Sequence, residues 1–599
     1  MFHLRRLFAV MALALVLAPL VASAPLFDPD EGLHAAIAQE MVQRGDYVTP
    51  TFRGEPFLDK PILFFWAEAA SLGLFGHNAA AVRIPPLLFG LFGMVTIALL
   101  GRALADESAG LIAGIAYGTM LLPMGVSEVA VHDIGLVPFM CLAALCLVRV
   151  SDLAVAAPAP ADLPPAFDSL SLAQASSTFG WELLRYGGAA GGALGLSILT
   201  KGLVGIVFTG IFAVCLVARR PSSWFKLALA LAIAVVVTLV VASPWYVAME
   251  RAHPGYLYYY FVERHLHGYL TATQRHAGRP FWYYVPIVLG GALPWTGYLL
   301  GAATSAFGSI RRQGLRPSPR SGFGAAGSDR QRGMRRTLWA WFAVGLVFLS
   351  VGESKLVTYA LPLFPILALI IGEYVSTAGS VPVAGATLPF EFRSFRLRTE
   401  SAWFTLGFAI QAIAMALLPV AGLLVLAGKF DGVPGYLWAG PGVFGLLTID
   451  AARRAAKATS MSGFMAGLGR MTLLTIVALM LVAPHAATWM TSRDLAATLN
   501  SAGTLPPRVW VVDERIGSLI FYLDPPLRAQ ATAGRVDAAT FSEALIRARV
   551  DPPDAVFAVR NSQLPRFNRM FASPPVPDAL AGTFTLFRAE TLRAALAVR

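Results

Sequence analysis

Residues 227–247 have the sequence LALALAIAVVVTLVVASPWYV, a run without a single charged side chain. About 20 apolar residues are enough for a helix to cross the hydrocarbon core of a bilayer. The whole chain of 599 residues has this character, with 56% hydrophobic and only 14% charged residues, and its mean hydropathy is +0.63. The run lacks the alternation of barrel strands, and backbone groups in lipid must be satisfied internally. The sequence therefore predicts an all-α polytopic membrane protein.

Apolar runs between charged or Pro/Gly-rich breaks predict about thirteen transmembrane helices. Several runs are shorter than about 20 residues, so their ends are approximate. The predicted spans are Leu7–Val21, Ala81–Leu100, Ala109–Met124, Ile134–Val148, Gly187–Leu199, Leu203–Val217, Leu227–Val247, Trp282–Leu300, Leu338–Ser350, Leu356–Ile371, Trp403–Leu426, Val433–Ile449 and Met471–Trp489.

Basic residues are concentrated on one side of these spans. If the N-terminus is inside, the cytoplasmic segments include Arg5/Arg6, Arg219/Arg220, Arg453/Arg454 and the stretch from Arg311 to Arg336. This positive-inside pattern accounts for most of the net charge of +12, so the charge does not indicate nucleic-acid binding. We expect a multi-pass protein of a bacterial inner (plasma) membrane, with its large loops on the periplasmic face.

The N-terminal segment leaves one alternative open. Residues 1–24 have a basic start, an apolar middle and an A-S-A end, which is also the form of a signal peptide. Pro25 directly after that site disfavours cleavage. In either case Phe27 and the residues after it are expected outside.

Two long outer loops, about 25–80 and 248–281, separate the predicted spans. Within the first loop, His34–Arg44 and Pro61–Phe75 are predicted to be helices along the membrane interface, although Pro61–Phe75 as a span is the alternative. The inner segments Ser151–Glu182 and Ala302–Thr337 have the composition of mobile linkers. We thus expect a membrane domain over residues 1–490.

Residues 491–599 change in character and predict a small periplasmic α/β domain. Short β-type runs occur at Val509–Asp513, Ala555–Val559 and Thr583–Phe587, and Phe541–Val550 has a helical pattern between two of them. The three cysteines, Cys141, Cys146 and Cys215, all fall inside predicted spans, where they are expected to pack as small apolar groups.

The densest group of acids is Asp28-Pro29-Asp30-Glu31, directly after the first span. Three carboxylates so close together repel one another, so they are expected to bind a metal, take a proton or orient a cation. A solvated cap at a helix start is the alternative. Asp133 begins the fourth span, where an acid is either a functional group facing a protein cavity or a simple N-cap.

Lysines on the outer face are the second candidate group. Lys60 in Asp59-Lys60-Pro61, Lys201 in Thr200-Lys201-Gly202 and Lys355 in Glu353-Ser354-Lys355 are placed against the positive-inside rule. Each is a candidate for binding a phosphate, and a snorkelling anchor is the alternative for each.

The second outer loop is rich in histidine and aromatic residues. Its imidazole and acid groups suit a divalent cation such as zinc, but their spacing matches no tight metal motif. The aromatic residues suggest an interfacial belt first and a sugar-stacking surface second. The titratable or charged members are His253, Glu263, Arg264, His265, His267 and His276.

At this point the sequence resembles a known family, the GT-C membrane glycosyltransferases related to lipid A aminoarabinose transferase and protein O-mannosyltransferases. The resemblance extends over about Phe27 to Gly372, and its motifs occur in order. They are Pro29-Asp30-Glu31, Arg44-Gly45-Asp46-Tyr47, Gly54, Asp59-Lys60-Pro61, Phe75-Gly76, Val82-Arg83, Asp133, Thr200-Lys201-Gly202, Pro244-Trp245, Phe281-Trp282-Tyr283-Tyr284, Leu293-Pro294-Trp295 and Ser354-Lys355-Leu356 with Tyr359, Leu361 and Pro362.

The resemblance implies that a sugar passes from a polyprenyl-phosphate carrier to a lipid or protein acceptor on the outer face, without a nucleotide. Asp30, with Glu31 beside it, then resembles the catalytic carboxylate, and Asp133 a second essential acid. The implied substrate-binding residues are Lys60, Arg83, Lys201, Lys355 and Tyr359. His265 and Asp59 align with ligands of a divalent ion, zinc, in some relatives. The protein is expected to act as a monomer among membrane lipids.

Departures from the family pattern leave the substrates open. Leu33 and His34 stand where relatives often have Arg-Tyr, and Arg264 stands where they have Glu before the loop histidine. The sugar and the acceptor, whether lipid A, another lipid or a protein, are therefore not determined. A lipid or solute transporter is the alternative from another class, but it would predict acids in broken spans near the midplane.

Overall fold

The structure is a computed structural model. It describes residues 5–6, 8–12, 24–153, 169–271, 278–312, 325–378, 399–429, 435–458 and 461–597. The predicted span Leu7–Val21 lies largely outside these residues. Most of the described chain is helical, as expected.

The first outer loop folds into two helices joined by a short hairpin. Helix Asp30–Arg44 begins with two acids in its first turn and ends at Gly45, whose left-handed backbone donates its N–H to Met41. Strands β1 (Thr51–Phe52) and β2 (Glu55–Pro56) pair antiparallel. Helix Leu63–Phe75 follows, so both predicted loop helices are present.

A bundle of apolar helices forms the body of the protein, and each predicted span from Ala81 onward overlaps one of them. The helices are Ala79–Leu104, Glu107–Thr119, Leu121–Ser127, Asp133–Leu153, Ser169–Lys201, Val204–Arg219, Trp224–Ala252, Tyr284–Gly291, Gly297–Arg312, Ala325–Val351, Leu363–Ala378, Thr399–Lys429, Gly435–Ala456 and Met461–Thr488. Short 3-10 turns lie at Pro221–Ser223, Phe281–Tyr283 and Val357–Ala360, and a π-helix at Tyr258–His267 leads into the turn Gly268–Leu270.

Six of the described helices are long and apolar enough to cross a membrane. The number becomes seven if Glu107–Thr119 and Leu121–Ser127, which meet at an angle of 66°, form one span. The protein is therefore a multi-pass membrane protein. Thirteen spans stays a prediction, since several of the described apolar helices are shorter.

Two predicted spans are broken, and their breaks face each other. Trp282–Leu300 is interrupted around Pro294, which has no N–H to continue a helix, and Ala109–Met124 is interrupted at Met120. The Leu121 N–H donates to the Leu293 carbonyl at 2.8 Å, and the Trp295 indole donates to Thr119 at 2.8 Å. Backbone groups freed by the breaks are thus satisfied inside the bundle, as an apolar surrounding requires.

The linker predictions for Ser151–Glu182 and Ala302–Thr337 are wrong in part. Helices Ser169–Lys201, Gly297–Arg312 and Ala325–Val351 extend through much of both segments. Ala and Arg have high helix propensity, and this local preference outweighs the linker-like composition. Residues 154–168 and 313–324 lie outside the described residues.

A five-stranded mixed sheet lies near the C-terminus. Its strands are β3 (Val509–Val512), β4 (Val536–Ala539), β5 (Val556–Arg560), β6 (Ala579–Ala581) and β7 (Phe584–Arg588), in the order β4-β3-β5-β7-β6. β3 is parallel to both β4 and β5, whereas β7 is antiparallel to its neighbours.

Helices and turns connect and cover this sheet. They are Arg493–Ala502, Gly517–Tyr522, Pro525–Gln530, Ala531–Arg535, Phe541–Val550, Asn561–Gln563, Leu564–Asn568 and Ala589–Ala597. Thr540 and Glu543 form the capping box that starts helix Phe541–Val550. The predicted strands and helix of this region are present, while the domain boundary at residue 490 stays a prediction.

Candidate active site

One cavity of about 520 Å³ opens where the first outer loop meets the ends of several bundle helices. Its polar wall comes from the segment Asp59–Pro61, the π-helix Tyr258–His267 and the start of helix Asp133–Leu153. Its apolar wall is built by Leu203, Val204, Val207, Leu266, Phe348 and Leu349. The lining of the cavity therefore combines charged groups with hydrocarbon side chains.

An ion pair between Asp133 and Lys201 lies in this cavity. The Lys201 ammonium is 2.6 Å from the Asp133 carboxylate, which also accepts a hydrogen bond from Thr358. The same ammonium lies 5.0 Å from the centre of the Tyr359 ring. The pair is largely buried, with 11% of the Lys201 side chain and 6% of the Asp133 side chain exposed. Lys201 is therefore held in one position by a carboxylate, an aromatic face and the helix that ends there.

Lys60 is the second lysine of the cavity. It precedes helix Leu63–Phe75, and Pro61 after it restricts its backbone. Lys201 nearby and burial lower the pKa of the Lys60 ammonium to about 8, although Asp133 and Asp59 oppose the shift. Two cations that repel each other at the end of a partly enclosed cavity favour an anion between them.

Asp59 contacts a residue that was noted in the sequence only as a departure. Arg264 lies 2.8 Å from one carboxylate oxygen of Asp59, and the Tyr259 hydroxyl donates to the other at 2.6 Å. Arg264 also lines the cavity, as do Tyr260 and Tyr284. A loop arginine could be recognised as a site residue only from its spatial neighbours, because no local motif marks it.

His265 is fixed against the end of helix Ser169–Lys201. Its Nδ1 lies 2.7 Å from the Tyr260 carbonyl, and a Cβ added at Gly202 would lie 2.3 Å from its Nε2. Gly202 has a φ of +83°, so the Lys-Gly pair both ends the helix and leaves room for the imidazole.

These contacts do not fit a metal site at His265 and Asp59. Both carboxylate oxygens of Asp59 already have hydrogen-bonding partners, one of them a guanidinium. Among the described residues, no group of three or more His, Cys, Asp or Glu side chains converges as metal ligands. We therefore assign no chemical step to a metal.

Asp30 is exposed at the start of its helix and is not among the residues that line the cavity. Its charge nevertheless acts on Lys201 and Tyr359, so the carboxylate lies close to these two cavity residues. One turn later, His34 is buried and its Nδ1 lies 2.7 Å from the carbonyl of Ala130. This bond ties the helix of Asp30 to the segment that leads into Asp133, so the two acids are positioned together.

Besides Asp30, the predicted site residues Glu31, Arg83 and Lys355 are also absent from the cavity lining. Glu31 is fully buried and hydrogen-bonded to Arg83, Phe27 N–H and Ala130 N–H. Arg83 also donates to the carbonyls of Ala24 and Pro25. Lys355 is buried, with its ammonium 3.2 Å from the Arg279 carbonyl.

Comparison with known proteins shows which families this chain resembles. A family model described as dolichyl-phosphate-mannose-protein mannosyltransferase matches residues 59–154. Two crystal structures of ArnT from Cupriavidus metallidurans, one bound to undecaprenyl phosphate and one in the apo state, have TM-scores of 0.63 and 0.65. They share 20% and 21% identity with this chain, and each alignment covers 97% or 98% of both chains. The protein therefore has the fold of ArnT over nearly its whole length.

Curated relatives that match this chain in sequence include arabinosyl transferases. Undecaprenyl phosphate-alpha-4-amino-4-deoxy-L-arabinose arabinosyl transferase 2 of Proteus mirabilis is 28% identical over 58% of this chain and 55% of its own length. The corresponding arabinosyl transferase of Erwinia tasmaniensis is 30% identical over 59% and 56%. The sequence matches thus span little more than half of these relatives. Together with the fold, they confirm the resemblance to the ArnT-like and protein mannosyltransferase-like GT-C glycosyltransferases.

Proposed function

We propose that the protein transfers a sugar from a polyprenyl-phosphate carrier to an acceptor of the cell envelope. The observation that carries this proposal is the cavity, whose lining combines the cations Lys60, Lys201 and Arg264 with a set of apolar side chains. A polyprenyl phosphate offers a matching anionic head and hydrocarbon tail. The names of the curated relatives support transfer over the transporter alternative.

In this reaction the bond between the anomeric carbon and the carrier phosphate breaks, and a bond from an acceptor oxygen to that carbon forms. The carrier leaves as polyprenyl phosphate, and its growing negative charge is stabilised by Lys60 and Lys201. Asp133 holds Lys201 in place at 2.6 Å. Since both substrates are amphiphiles, the main contribution of the bundle is to hold them in reacting geometry.

Asp30 is assigned the acceptor side of the reaction. Its carboxylate is exposed while the other acids of its motif are buried, so it is free to contact a substrate. A hydroxyl acceptor would give its proton to Asp30 as general base. A phosphate acceptor is already anionic, and Asp30 would then stabilise positive charge developing on the sugar.

We place the site on the periplasmic face. Helix Val204–Arg219 starts with a residue that lines the cavity and ends at Arg219, about 24 Å away at 1.5 Å per residue. Helix Ala325–Val351 likewise has Arg335 on its N-terminal half and the cavity residues Phe348 and Leu349 at its other end. The helix ends opposite the cavity thus carry arginines, which are enriched on the cytoplasmic side of membrane proteins.

The acceptor is proposed to be a lipid A-type envelope lipid, as the family resemblance of the sequence motifs implies. The names of the relatives support the donor side, an undecaprenyl-phosphate-linked sugar. Protein O-glycosylation is the alternative within the class, in keeping with the mannosyltransferase family model over residues 59–154. Mass spectrometry of envelope lipids and glycoproteins from cells with and without the gene distinguishes the two acceptors.

Carrier binding and transfer test the proposal separately. Purified Lys60→Ala protein should bind undecaprenyl phosphate at least about tenfold more weakly, because a charge-assisted hydrogen bond is worth about 1.5–3 kcal/mol. Lys457→Ala, which changes an exposed lysine at the end of Gly435–Ala456, is the matched control. Asp30→Asn should abolish transfer and keep carrier binding. Full transfer by Asp30→Asn, or equal binding by the two lysine variants, would overturn the corresponding assignment.

A further inference from the structure

Three neighbouring strands of the C-terminal sheet are parallel and have a strand order that also occurs in open α/β folds. The chain leaves β3 to form β4 on one side and then crosses to form β5 on the other, giving the local order β4-β3-β5. In open α/β sheets, ligands bind at the carboxyl ends of the strands where the strand order reverses in this way. Here that place is the segment after Val512, which leads to Ser518.

The segment that leads into the helix of Asp30 is hydrogen-bonded to the chain that follows this point. Ser518 donates to the Asp28 carboxylate twice, from its backbone N–H at 3.0 Å and from its hydroxyl at 2.5 Å. The Asp28 N–H donates to the Met490 carbonyl at 2.9 Å, and the Leu26 N–H donates to the Tyr522 hydroxyl at 2.8 Å. The carboxyl group of Asp28 is thus anchored to both the backbone and the side chain of Ser518.

Two glycines let the backbones meet directly. A Cβ added at Gly32 would lie 2.3 Å from the Ser518 nitrogen, and one added at Gly517 would lie 2.3 Å from the Leu33 nitrogen. Such distances are far below van der Waals contact, so any side chain at either glycine would separate the two segments. The contact therefore leaves the Asp30 helix little freedom to shift along or away from the sheet.

We propose that Asp28 is a positioning residue, which through Ser518 fixes the first turn of helix Asp30–Arg44 and thereby the direction of the Asp30 carboxylate. The C-terminal sheet then serves as a structural part of the transferase site. This inference rests on the proposed function, because it assigns the orientation of the acid that acts on the acceptor. Only Pro29 separates Asp28 from Asp30, so a loss of the anchor acts directly on the turn that carries Asp30.

The surroundings of Asp28 indicate which substitution keeps the anchor. The carboxyl is buried, with 6% of the residue exposed, and Arg560 and Glu514 are the charged groups of the sheet that act on it. Burial raises the pKa of Asp28 to about 7, so a neutral group is accommodated there near neutral pH. Asn at this position keeps an acceptor for the Ser518 N–H, whereas Ala removes both hydrogen bonds.

Hydrogen exchange and kinetics on the purified full-length protein test the proposal. In Asp28→Ala we expect faster amide exchange in residues 31–41 and a kcat lowered on the order of 10- to 100-fold, with the donor KM within about twofold. Asp28→Asn should keep both the amide exchange and the kcat close to the wild-type values. Arg53→Ala is the control, because it breaks the Arg53–Asp537 ion pair of 3.1 Å, which joins the first outer loop to the sheet away from Asp30.

Unchanged exchange and kcat in Asp28→Ala would overturn the proposal, and so would equal losses in Arg53→Ala. If Asp28→Ala is not recovered in folded form, Ser518→Ala gives the same readouts with one hydrogen bond removed, and wild-type behaviour of that variant counts against the proposal. Undecaprenyl phosphate binding reports intact folding in every variant. Absence of transfer by the wild-type protein would instead contradict the proposed function, while the exchange result still decides the role of Asp28.

Discussion

The Arg83 guanidinium binds the Glu31 carboxylate through two hydrogen bonds, of 2.8 and 2.7 Å, with both side chains buried. Arg83 lies near the start of helix Ala79–Leu104, and Glu31 in the first turn of the Asp30 helix. The pair therefore attaches the helix that carries Asp30 to the bundle. Its geometry supports a structural role for two residues that the sequence grouped with the catalytic and substrate-binding positions.

We expect Arg83→Met to lower stability strongly, because removal of one partner leaves a buried charge without compensation and costs about 3–5 kcal/mol. Glu31→Gln should also destabilise, and the double variant should be less unstable than the sum of the single effects. Thermal denaturation in detergent, followed by size-exclusion fluorescence, measures this. A Glu31→Gln protein that keeps wild-type stability and loses transfer would instead support the predicted catalytic role.

The sequence predicted that the acid motif at residues 28–31 is a candidate site. It could not predict that each of the three acids has a different structural role. Asp28, Asp30 and Glu31 are adjacent in sequence, and the structure separates them into an anchor to the sheet, an exposed acid and an anchor to the bundle. Their partners Ser518 and Arg83 are remote in sequence, and hydrogen bonds over such separations leave no local pattern.

Contacts between remote segments were also unpredictable for the bundle helices. Apolar periodicity predicted where the bundle helices lie, since burial and lipid contact both select apolar side chains. It could not predict the paired breaks at Met120 and Pro294, because their stability depends on the Leu121–Leu293 and Trp295–Thr119 hydrogen bonds between segments. Lys60, Lys201 and Asp133, identified as candidates from their own positions, and Tyr359, identified through the family resemblance, do lie around one cavity.

The contact between Lys201 and Tyr359 leads to a second prediction. A cation over an aromatic ring is worth about 0.5–2 kcal/mol, and here the ring also limits the movement of the ammonium. Tyr359→Leu should therefore weaken undecaprenyl phosphate binding by about 2- to 30-fold. Tyr359→Phe keeps the ring and should stay within about twofold of wild type. Binding to the purified variants measures the difference, and equal affinities of the two variants would contradict it.

The lowered pKa of Lys60 predicts that carrier binding depends on pH. As the pH rises through about 8, the Lys60 ammonium of the free protein loses its proton, and the charge that attracts the phosphate is lost. The dissociation constant for undecaprenyl phosphate should rise by up to about tenfold per pH unit above pH 8. Lys60→Arg remains charged over this range and should give a flatter profile. A wild-type profile that is flat between pH 7.5 and 9.5 would show that Lys60 does not bind the phosphate.

The Asp59–Arg264 pair leads to a prediction about metal. Arg264 lies 2.8 Å from Asp59, and a cation in this position repels a divalent ion from the carboxylate that the family resemblance assigned as a ligand. We therefore expect purified protein to contain no stoichiometric zinc and to keep its affinity for undecaprenyl phosphate after dialysis against a chelator. Arg264→Glu removes the opposing charge and adds a carboxylate beside His265, so this variant should bind zinc more tightly than wild type. Elemental analysis of the two proteins measures both outcomes, and one zinc per wild-type chain would restore Asp59 and His265 as ligands.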